Sequence, residues 1–242
     1  MDNLPKVSPL TTNKSETTPL KKVGLFGGTF NPIHLGHIKT VSQGARILGL
    51  TKIALVPANI PPHKALPGIS NQHRVAMLEC VCNNTPLFDL NTWELSQDKV
   101  SYSVDTLSHI KHSYPDVILF FFIGMDSLLT FHTWKSFKDI LSLCNIVVST
   151  RPGYDLTKVS SELAPHIIDH QAYQVIESQY ELAPSPSLNQ RLTGHIILLP
   201  EENHCISSSK IRKNITSGQP WEAFVSKEVA QYIKQNSLYL DC

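Results

Sequence analysis

The sequence predicts an α/β fold, in which a doubly wound parallel sheet carries helices on both faces. Three observations predict it. Apolar runs of strand length alternate with segments in which apolar residues recur every three or four positions. Residues 117–123 form an unbroken run of seven apolar side chains, typical of a parallel strand covered on both faces. The chain has 242 residues, 41% of them hydrophobic, so it can bury the core of one large domain.

The predicted elements alternate along the chain. Strands are expected at residues 23–26, 53–56, 87–90, 117–123, 145–149 and 195–199. Helices are expected at residues 38–48, 75–81, 104–110, 135–143, 208–217 and 226–235. Gly49 ends the first helix, and Ser103 is expected to cap the third. Between residues 151 and 193 the pattern is poorer, and only a loop near residues 184–187 is expected.

The composition argues against several classes of protein. The formal net charge is +1, so we expect no nucleic-acid partner. No apolar run approaches the length of a membrane span, so we expect no membrane partner either. The five cysteines are odd in number and scattered, which argues against a disulfide framework or a structural zinc site. A reducing, cytoplasmic setting is therefore expected.

Residues 1–20 differ in composition from the rest of the chain. They are rich in Thr, Ser, Pro and Lys and contain no apolar stretch of the kind that a secretory signal needs. We therefore expect a disordered N-terminal arm at residues 1–20 and a single α/β domain at residues 21–242, closed by two C-terminal helices. The sequence leaves the oligomeric state open, with a homo-oligomer as one option.

The most informative segment is Gly27-Gly28-Thr29-Phe30-Asn31-Pro32-Ile33-His34-Leu35-Gly36-His37, which follows the first predicted strand. Two glycines let a backbone pass close to a ligand, and the start of a helix offers N–H groups to an anion. His34 and His37 are three residues apart and share a helix face, so both imidazoles can donate to phosphate oxygens. The segment is no Walker A loop. The alternative interpretation is a tight turn followed by two surface histidines.

Other chemically suggestive residues also follow predicted strands. In doubly wound sheets, ligands bind beyond the carboxyl ends of the strands, where the strand order reverses. The residues expected at that edge are 27–30, 57–64, 124–126, Arg151 and 206–212. The sequence therefore predicts one Rossmann-like nucleotide site at this edge.

These segments carry a resemblance to a known family. The motif from Gly27 to His37 resembles the signature of the H-x-G-H nucleotidyltransferases, and among them the bacterial nicotinate-nucleotide adenylyltransferases. The resemblance runs from Lys21 onwards and includes, in the family's order, Pro61-Pro62-His63-Lys64, Ser101-Tyr102-Ser103, Gly124-Met125-Asp126-Ser127, Trp134, Arg151-Pro152-Gly153-Tyr154 and Ile206-Ser207-Ser208-Ser209-Lys210-Ile211-Arg212. It implies that ATP and nicotinate mononucleotide are joined, giving deamido-NAD and pyrophosphate. Mg²⁺ is then expected, held mainly by substrate phosphates and water.

The resemblance also implies roles for individual residues. Residues implied in catalysis at the phosphates are His34, His37, Ser207 and Arg212. Residues implied in ATP binding are Gly27, Gly28, Thr29, Phe30, Gly124, Asp126, Arg151, Ile206 and Ser209. Residues implied in binding the mononucleotide are His63, Lys64, Ser103 and Trp134, with the Trp134 ring stacked on the nicotinate and backbone near Ser103 and Trp134 reading its carboxylate. No protein ligands for a metal are expected.

Several alternatives stay open at this point. The same reaction could use nicotinamide mononucleotide, a relative could use pantetheine phosphate or glycerol phosphate, and a non-catalytic regulator could bind nucleotide without turnover. Ser207 to Ser209 could only cap a helix, Trp134 could be a core aromatic, and Asp126 could be a helix cap. His63 and Lys64 could lie at a solvated loop tip. Side chains expected on the solvated surface are His73, Arg74, His109, His112 and His132.

Overall fold

A computed structural model of the chain describes residues 21–59, 69–98, 100–150, 155–182, 192–201 and 206–240. The arm predicted at residues 1–20 lies outside these ranges. In the described residues, seven strands form one sheet in the order β3-β2-β1-β4-β5-β7-β6, and all neighbouring strands are parallel. The strands are β1 (Lys21–Gly28), β2 (Lys52–Pro57), β3 (Phe88–Leu90), β4 (Val117–Gly124), β5 (Cys144–Ser149), β6 (Ile167–Asp169) and β7 (Ile196–Leu198).

The strand order reverses beside β1. The chain runs from β1 outward through β2 to β3, and then returns to place β4 on the other side of β1. In the register, Gly28 of β1 lies beside Pro57 of β2, and Phe26 lies beside Phe122 of β4. The carboxyl ends of β1 and β4 therefore flank the crevice where a doubly wound sheet binds its ligand. The predicted fold class is confirmed.

Eight helices of the described residues cover the sheet. They are α1 (Leu35–Leu48), α2 (Asn71–Asn84), α3 (Ser103–Ser113), α4 (Met125–Thr130), α5 (Phe137–Leu143), α6 (His170–Leu182), α7 (Ser208–Thr216) and α8 (Lys227–Gln235). Helix α1 ends at Gly49, whose φ of 64° is the left-handed conformation that favours glycine at a helix end. Ser103 was expected as a cap, but Tyr102 occupies that position and Ser103 is the first helical residue.

Two hydrophobic clusters lie on opposite faces of the sheet, and β4 contributes to both. Phe120 and Phe122 pack with the cluster that includes α1, α2, α7 and α8, while Leu119 and Ile123 pack with the cluster that includes α3 and α5. Successive side chains of a strand point to opposite faces, so an unbroken apolar run is needed when both faces are covered. This confirms the interpretation of residues 117–123 as a central buried strand.

The segment with the poor pattern contains two elements that the sequence analysis missed, β6 and α6. On α6, Tyr173 is fully buried, and Ile176 and Tyr180 pack against the same core. These three residues have helical spacing, but two of them are tyrosines, which a count of aliphatic residues overlooks. The loop expected near residues 184–187 lies outside the described ranges. None of the described helices is long and apolar enough to cross a membrane.

Candidate active site

The glycine turn at the end of β1 forms the floor of the site. A Cβ on Gly28 would lie 3.1 Å from the Phe30 ring, closer than side-chain contacts normally allow. Phe30 has a φ of 45°, a left-handed conformation that costs free energy for any residue except glycine. Its ring is only 2% exposed and packs edge-on against the rings of Phe26 and His37. Core packing therefore holds the backbone of the turn in a conformation that exposes Thr29.

His34 and His37 hold each other at the start of α1. The N–H of His37 donates to Nδ1 of His34 at 3.2 Å, and the N–H of His34 donates to Nδ1 of His37 at 3.4 Å. The two rings stack with centroids 3.6 Å apart. Because each Nδ1 accepts a hydrogen bond, the proton of each neutral ring is on Nε2, which makes Nε2 a donor.

Gly36, the glycine of the H-x-G-H motif, lies where there is little room for a side chain. A Cβ on Gly36 would lie 3.0 Å from Nδ1 of His34 and 3.4 Å from the Cβ of Ile206. The His34 ring therefore folds back over the backbone of Gly36, and the segment that leads into α7 packs against the same point. A larger residue at this position would displace the ring or the segment.

The histidine cavity, of about 430 Å³, lies between the starts of α1 and α7. It is lined by Thr29, Asn31, His34, His37, Ile206, Ser207, Ser208, Ser209 and Arg212. Ser207 caps α7 by accepting from the N–H of Lys210, so the predicted capping role and the cavity lining both apply to it. Among the described residues, the lining contains two helix starts and a guanidinium but no carboxylate. This arrangement suits a ligand with several negative charges.

The loop after β1 is fixed by groups from the C-terminal part of the chain. Arg212 Nη1 donates to the carbonyl oxygen of Asn31 at 2.7 Å, and Ser208 Oγ donates to that of Pro32 at 2.9 Å. The hydroxyl of Tyr239 donates to Oδ1 of Asn31 at 2.8 Å, in a buried position. These contacts hold α7 against the glycine turn and so hold the two helix starts in one cavity.

On the other side of the turn lies the tryptophan cavity, of about 290 Å³. It is lined by Gly27, Gly28 and Thr29, by Ser101, Ser103 and Thr106, by Glu94, and by Gly124 and Trp134, among others. The Trp134 ring packs edge-on against Phe131 with centroids 5.3 Å apart, and it also lines the cavity. The backbone N–H of Trp134 donates to the carbonyl oxygen of Phe131, so this backbone donor is engaged within its own turn.

A third, central cavity connects the other two through shared residues. Gly27, Gly28 and Thr29 line it together with His34, His37 and Gly124. The glycine turn therefore lies between an aromatic cavity and a cationic one.

Of the residues predicted for ATP, Gly124 and Ile206 line these cavities, and Ser209 lines the histidine cavity. Asp126 is exposed in the first turn of α4, where Gly124 is the cap residue. Three predicted site residues, His63, Lys64 and Arg151, lie outside the described ranges.

The surface position predicted for Arg74 is wrong, and this residue belongs to the support of the site. Its side chain is 1% exposed. Its guanidinium donates to the carbonyl oxygens of Thr29 and Ala58, both at 2.9 Å, and to Oδ1 of Asn71 at 2.7 Å. Burial lowers the pKa of the Arg74 guanidinium. Arg74 therefore joins the loops that follow β1 and β2.

The histidines predicted on the surface have mixed environments. His109 is exposed and stacks on Trp93, and His112 is exposed. His73 is partly buried, with Nδ1 2.9 Å from the hydroxyl of Tyr232. Nδ1 of His132 is buried without a hydrogen-bond partner. Solvation is therefore confirmed for two of these four histidines.

The described residues could hold a metal ion only indirectly, through a bound ligand that itself carries the metal. Within those ranges, no group of three or more His, Cys, Asp or Glu side chains could hold a metal ion. The histidine cavity offers hydroxyl, imidazole and guanidinium groups, which bind phosphate oxygens rather than a hard cation.

Comparisons with known proteins identify the family of the chain. A family model described as cytidylyltransferase-like matches residues 25–214. A protein of Aeromonas salmonicida named probable nicotinate-nucleotide adenylyltransferase is 37% identical over 220 residues, covering 90% of this chain and 96% of the relative. A protein of Citrobacter koseri with the same name is 38% identical over 216 residues, covering 89% of this chain and 97% of the relative.

Solved structures share the fold at lower identity. The nicotinic acid mononucleotide adenylyltransferase of Plasmodium falciparum, complexed with NaAD, aligns with a TM-score of 0.65 and 18% identity, covering 90% of this chain and 97% of that one. The extent of the curated matches, which span nearly the whole of each relative, shows the family. The chain belongs to the nicotinate-nucleotide adenylyltransferases, a family of nucleotidyltransferases with a Rossmann-like fold.

Proposed function

We propose that this chain transfers the adenylyl group of ATP to the phosphate of nicotinate mononucleotide, giving deamido-NAD and pyrophosphate for NAD biosynthesis. The observation that carries the proposal is the meeting of two unlike cavities at the glycine turn. The tryptophan cavity offers a ring face for the nicotinate. The histidine cavity offers donors and positive charge for a triphosphate. Thr29 lies where the two ligands' phosphates would meet.

The reaction needs positioning more than acid–base chemistry. The mononucleotide phosphate already carries negative charge, so it can attack the α-phosphate of ATP in line without a general base. The task of the protein is to align the two phosphates and to neutralise charge on the leaving pyrophosphate. In this proposal Nε2 of His34 and of His37 donates to ATP phosphate oxygens. Arg212 and the start of α7 at Ser207 bind the pyrophosphate from the far side.

In this proposal Mg²⁺ enters the site bound to the triphosphate of ATP. It would be held by phosphate oxygens and water and would supply charge neutralisation at the leaving group. The residues around it would be the hydroxyl, imidazole and guanidinium groups of the histidine cavity. A cytoplasmic location stays a prediction from the sequence, and the oligomeric state stays open, with a homo-oligomer as one option.

The start of α3 supports nicotinate over nicotinamide. Tyr102 provides no side-chain acceptor for the first turn, and the first backbone bonds run from the N–H groups of Asp105 and Thr106 to the carbonyl oxygen of Tyr102. The N–H groups of Ser103 and Val104 therefore have no acceptor within the helix. Ser103 lines the tryptophan cavity. Two N–H donors at the positive end of a helix dipole suit a carboxylate better than an amide.

Steady-state pyrophosphate release with ATP and Mg²⁺ tests the proposal. We expect kcat/KM to favour nicotinate mononucleotide over nicotinamide mononucleotide by about 100-fold, the value of one or two hydrogen bonds to a charged group. Comparable rates for the two substrates would contradict the carboxylate assignment at α3. Binding of both nucleotides without pyrophosphate release would contradict the proposed activity and favour the regulator.

A further inference from the structure

The tryptophan cavity contains one carboxylate, among the described residues, that has no role in the reaction proposed above. Among the described residues that line the tryptophan, central and histidine cavities, Glu94 carries the only acidic side chain. It belongs to the short helical turn Trp93–Ser96, which follows β3. Its side chain is partly buried. Because like charges repel, a carboxylate in a site for two anionic substrates is favourable beside a part of the substrate that carries no negative charge.

Glu94 is held in place by groups on two other segments. Thr106 on α3 donates its hydroxyl to Oε1 of Glu94 at 2.6 Å. The backbone N–H of Asn59, in the loop after β2, also donates to this carboxylate. Burial nonetheless raises the pKa of Glu94, because these donors do not fully replace the lost water. A carboxylate accepts about four hydrogen bonds, so further donors can be accommodated.

The chemistry of the mononucleotide indicates which of its groups could donate a hydrogen bond to Glu94. The nicotinate carboxylate and the phosphate of the substrate only accept hydrogen bonds. Its ribose 2′- and 3′-hydroxyls are the donors that it offers, and an ionised carboxylate can only accept. Since the same charge repels both anionic groups, the ribose is the part of the mononucleotide that fits beside Glu94.

We propose that Glu94 binds the ribose diol of the mononucleotide and so sets the distance between its ring in the tryptophan cavity and its phosphate at Thr29. This inference rests on the proposed function. Glu94 is a binding residue in this account, and Thr106 and Asn59 orient it. No chemical group is transferred to or from it.

The test compares nicotinate mononucleotide with its 2′-deoxy and 3′-deoxy forms in steady-state pyrophosphate release. In the wild-type protein, we expect loss of at least one hydroxyl to lower kcat/KM by about 10- to 100-fold, as for a hydrogen bond to a charged group. In Glu94→Ala, we expect the three substrates to have kcat/KM values within about threefold of one another. Equal deoxy penalties in both proteins would overturn the inference.

Two further variants keep the test decisive. Glu94→Gln retains the side-chain shape and an accepting oxygen without charge, so we expect an intermediate deoxy penalty even if the alanine variant folds poorly. Asp98→Asn is the matched control, since Asp98 is an exposed acid four residues away, and its deoxy penalty should equal the wild-type value. A glutamine variant with the full wild-type penalty would also overturn the inference.

The outcomes distinguish a failure of the proposed function from a failure of the ribose contact alone. Absence of turnover of nicotinate mononucleotide by the wild-type protein would refute the proposed function. Turnover with deoxy penalties that are insensitive to Glu94 would refute only the ribose contact. A Glu94→Ala variant that changes the preference between nicotinate and nicotinamide mononucleotide, with unchanged deoxy penalties, would place Glu94 at the ring and also overturn the inference.

Discussion

Replacing Arg74 by methionine removes a buried guanidinium while keeping a side chain of similar length. The guanidinium donates to the carbonyl oxygens of Thr29 and Ala58 and to the side chain of Asn71. Because Thr29 follows β1 and Ala58 follows β2, this one side chain fixes two loops of the active site relative to each other. We expect Arg74→Met to reduce both stability and activity.

The contacts give the size of the effect. Two backbone carbonyls lose a charged donor in part-buried positions, and a hydrogen bond to a charged group contributes about 1.5–3 kcal/mol. Asn71 is exposed and can bond to water, so its loss adds little. Part of the cost is offset, because methionine removes a charge from a position where burial disfavours it. The free energy of unfolding should therefore fall by about 2–4 kcal/mol, a large share of the stability of a typical domain.

Urea unfolding measures the stability, and pyrophosphate release measures the activity at a temperature where the variant is folded. We expect kcat to fall about 10-fold or more, since a shift of the turn by a fraction of an ångström misaligns the phosphates. Arg74→Lys should be intermediate, because one ammonium cannot reproduce the fork of a guanidinium. Arg46→Met, at an exposed arginine in the last turn of α1, is the control. A methionine variant at position 74 within about 0.5 kcal/mol of wild type, with unchanged kcat, would refute the reasoning.

Three further substitutions test the site. His37→Ala should lower kcat about 100-fold, since it removes a phosphate donor and the acceptor for the N–H of His34. Trp134→Ala should raise the KM for nicotinate mononucleotide by about 10- to 100-fold, the value of a stacking contact, with a smaller effect on the KM for ATP. Tyr239→Phe should lower the free energy of unfolding in urea by about 1–2 kcal/mol, because it leaves the buried Oδ1 of Asn31 without its donor.

Matched controls sharpen these expectations. His112→Ala and Tyr114→Phe change exposed residues and should leave kcat and stability, respectively, at wild-type values. Trp134→Phe should retain part of the stacking. Equal kcat in His37→Ala and wild type would contradict the phosphate role of His37. If Trp134→Ala changed only the KM for ATP, the assignment of Trp134 to the mononucleotide would be wrong. Equal losses from the two tyrosine variants would mean that the bond to Asn31 contributes nothing.

Elements were predicted well where burial on both faces forces a simple pattern. The run at residues 117–123 predicted a strand covered on both faces, and Gly49 predicted the end of the first helix. Helix α6 was missed because its buried face depends on Tyr173 and Tyr180, whose hydroxyls make them look polar in a sequence. In the fold, the Tyr173 hydroxyl accepts from Nδ2 of Asn145 and donates to the carbonyl oxygen of Leu192, so its burial leaves no polar atom unpaired.

The site was predicted where residues follow strands, and missed where a role depends on contacts across the fold. The glycine turn, His34 and His37 form one local segment, so their grouping was visible in the sequence. Arg74 was assigned to the surface because arginine usually lies there. Its burial depends on two carbonyl oxygens located 45 and 16 residues away, and no local pattern records that.

The loop after β1 depends on partners that are synthesised much later than the loop itself. Ser208, Arg212 and Tyr239 contact it across separations of 176, 181 and 208 residues. During translation, the glycine turn and both histidines leave the ribosome before these partners exist, and contacts of such separation form late in folding. A nascent chain interrupted before α7 carries the whole H-x-G-H motif, yet it lacks the contacts that hold the motif in place.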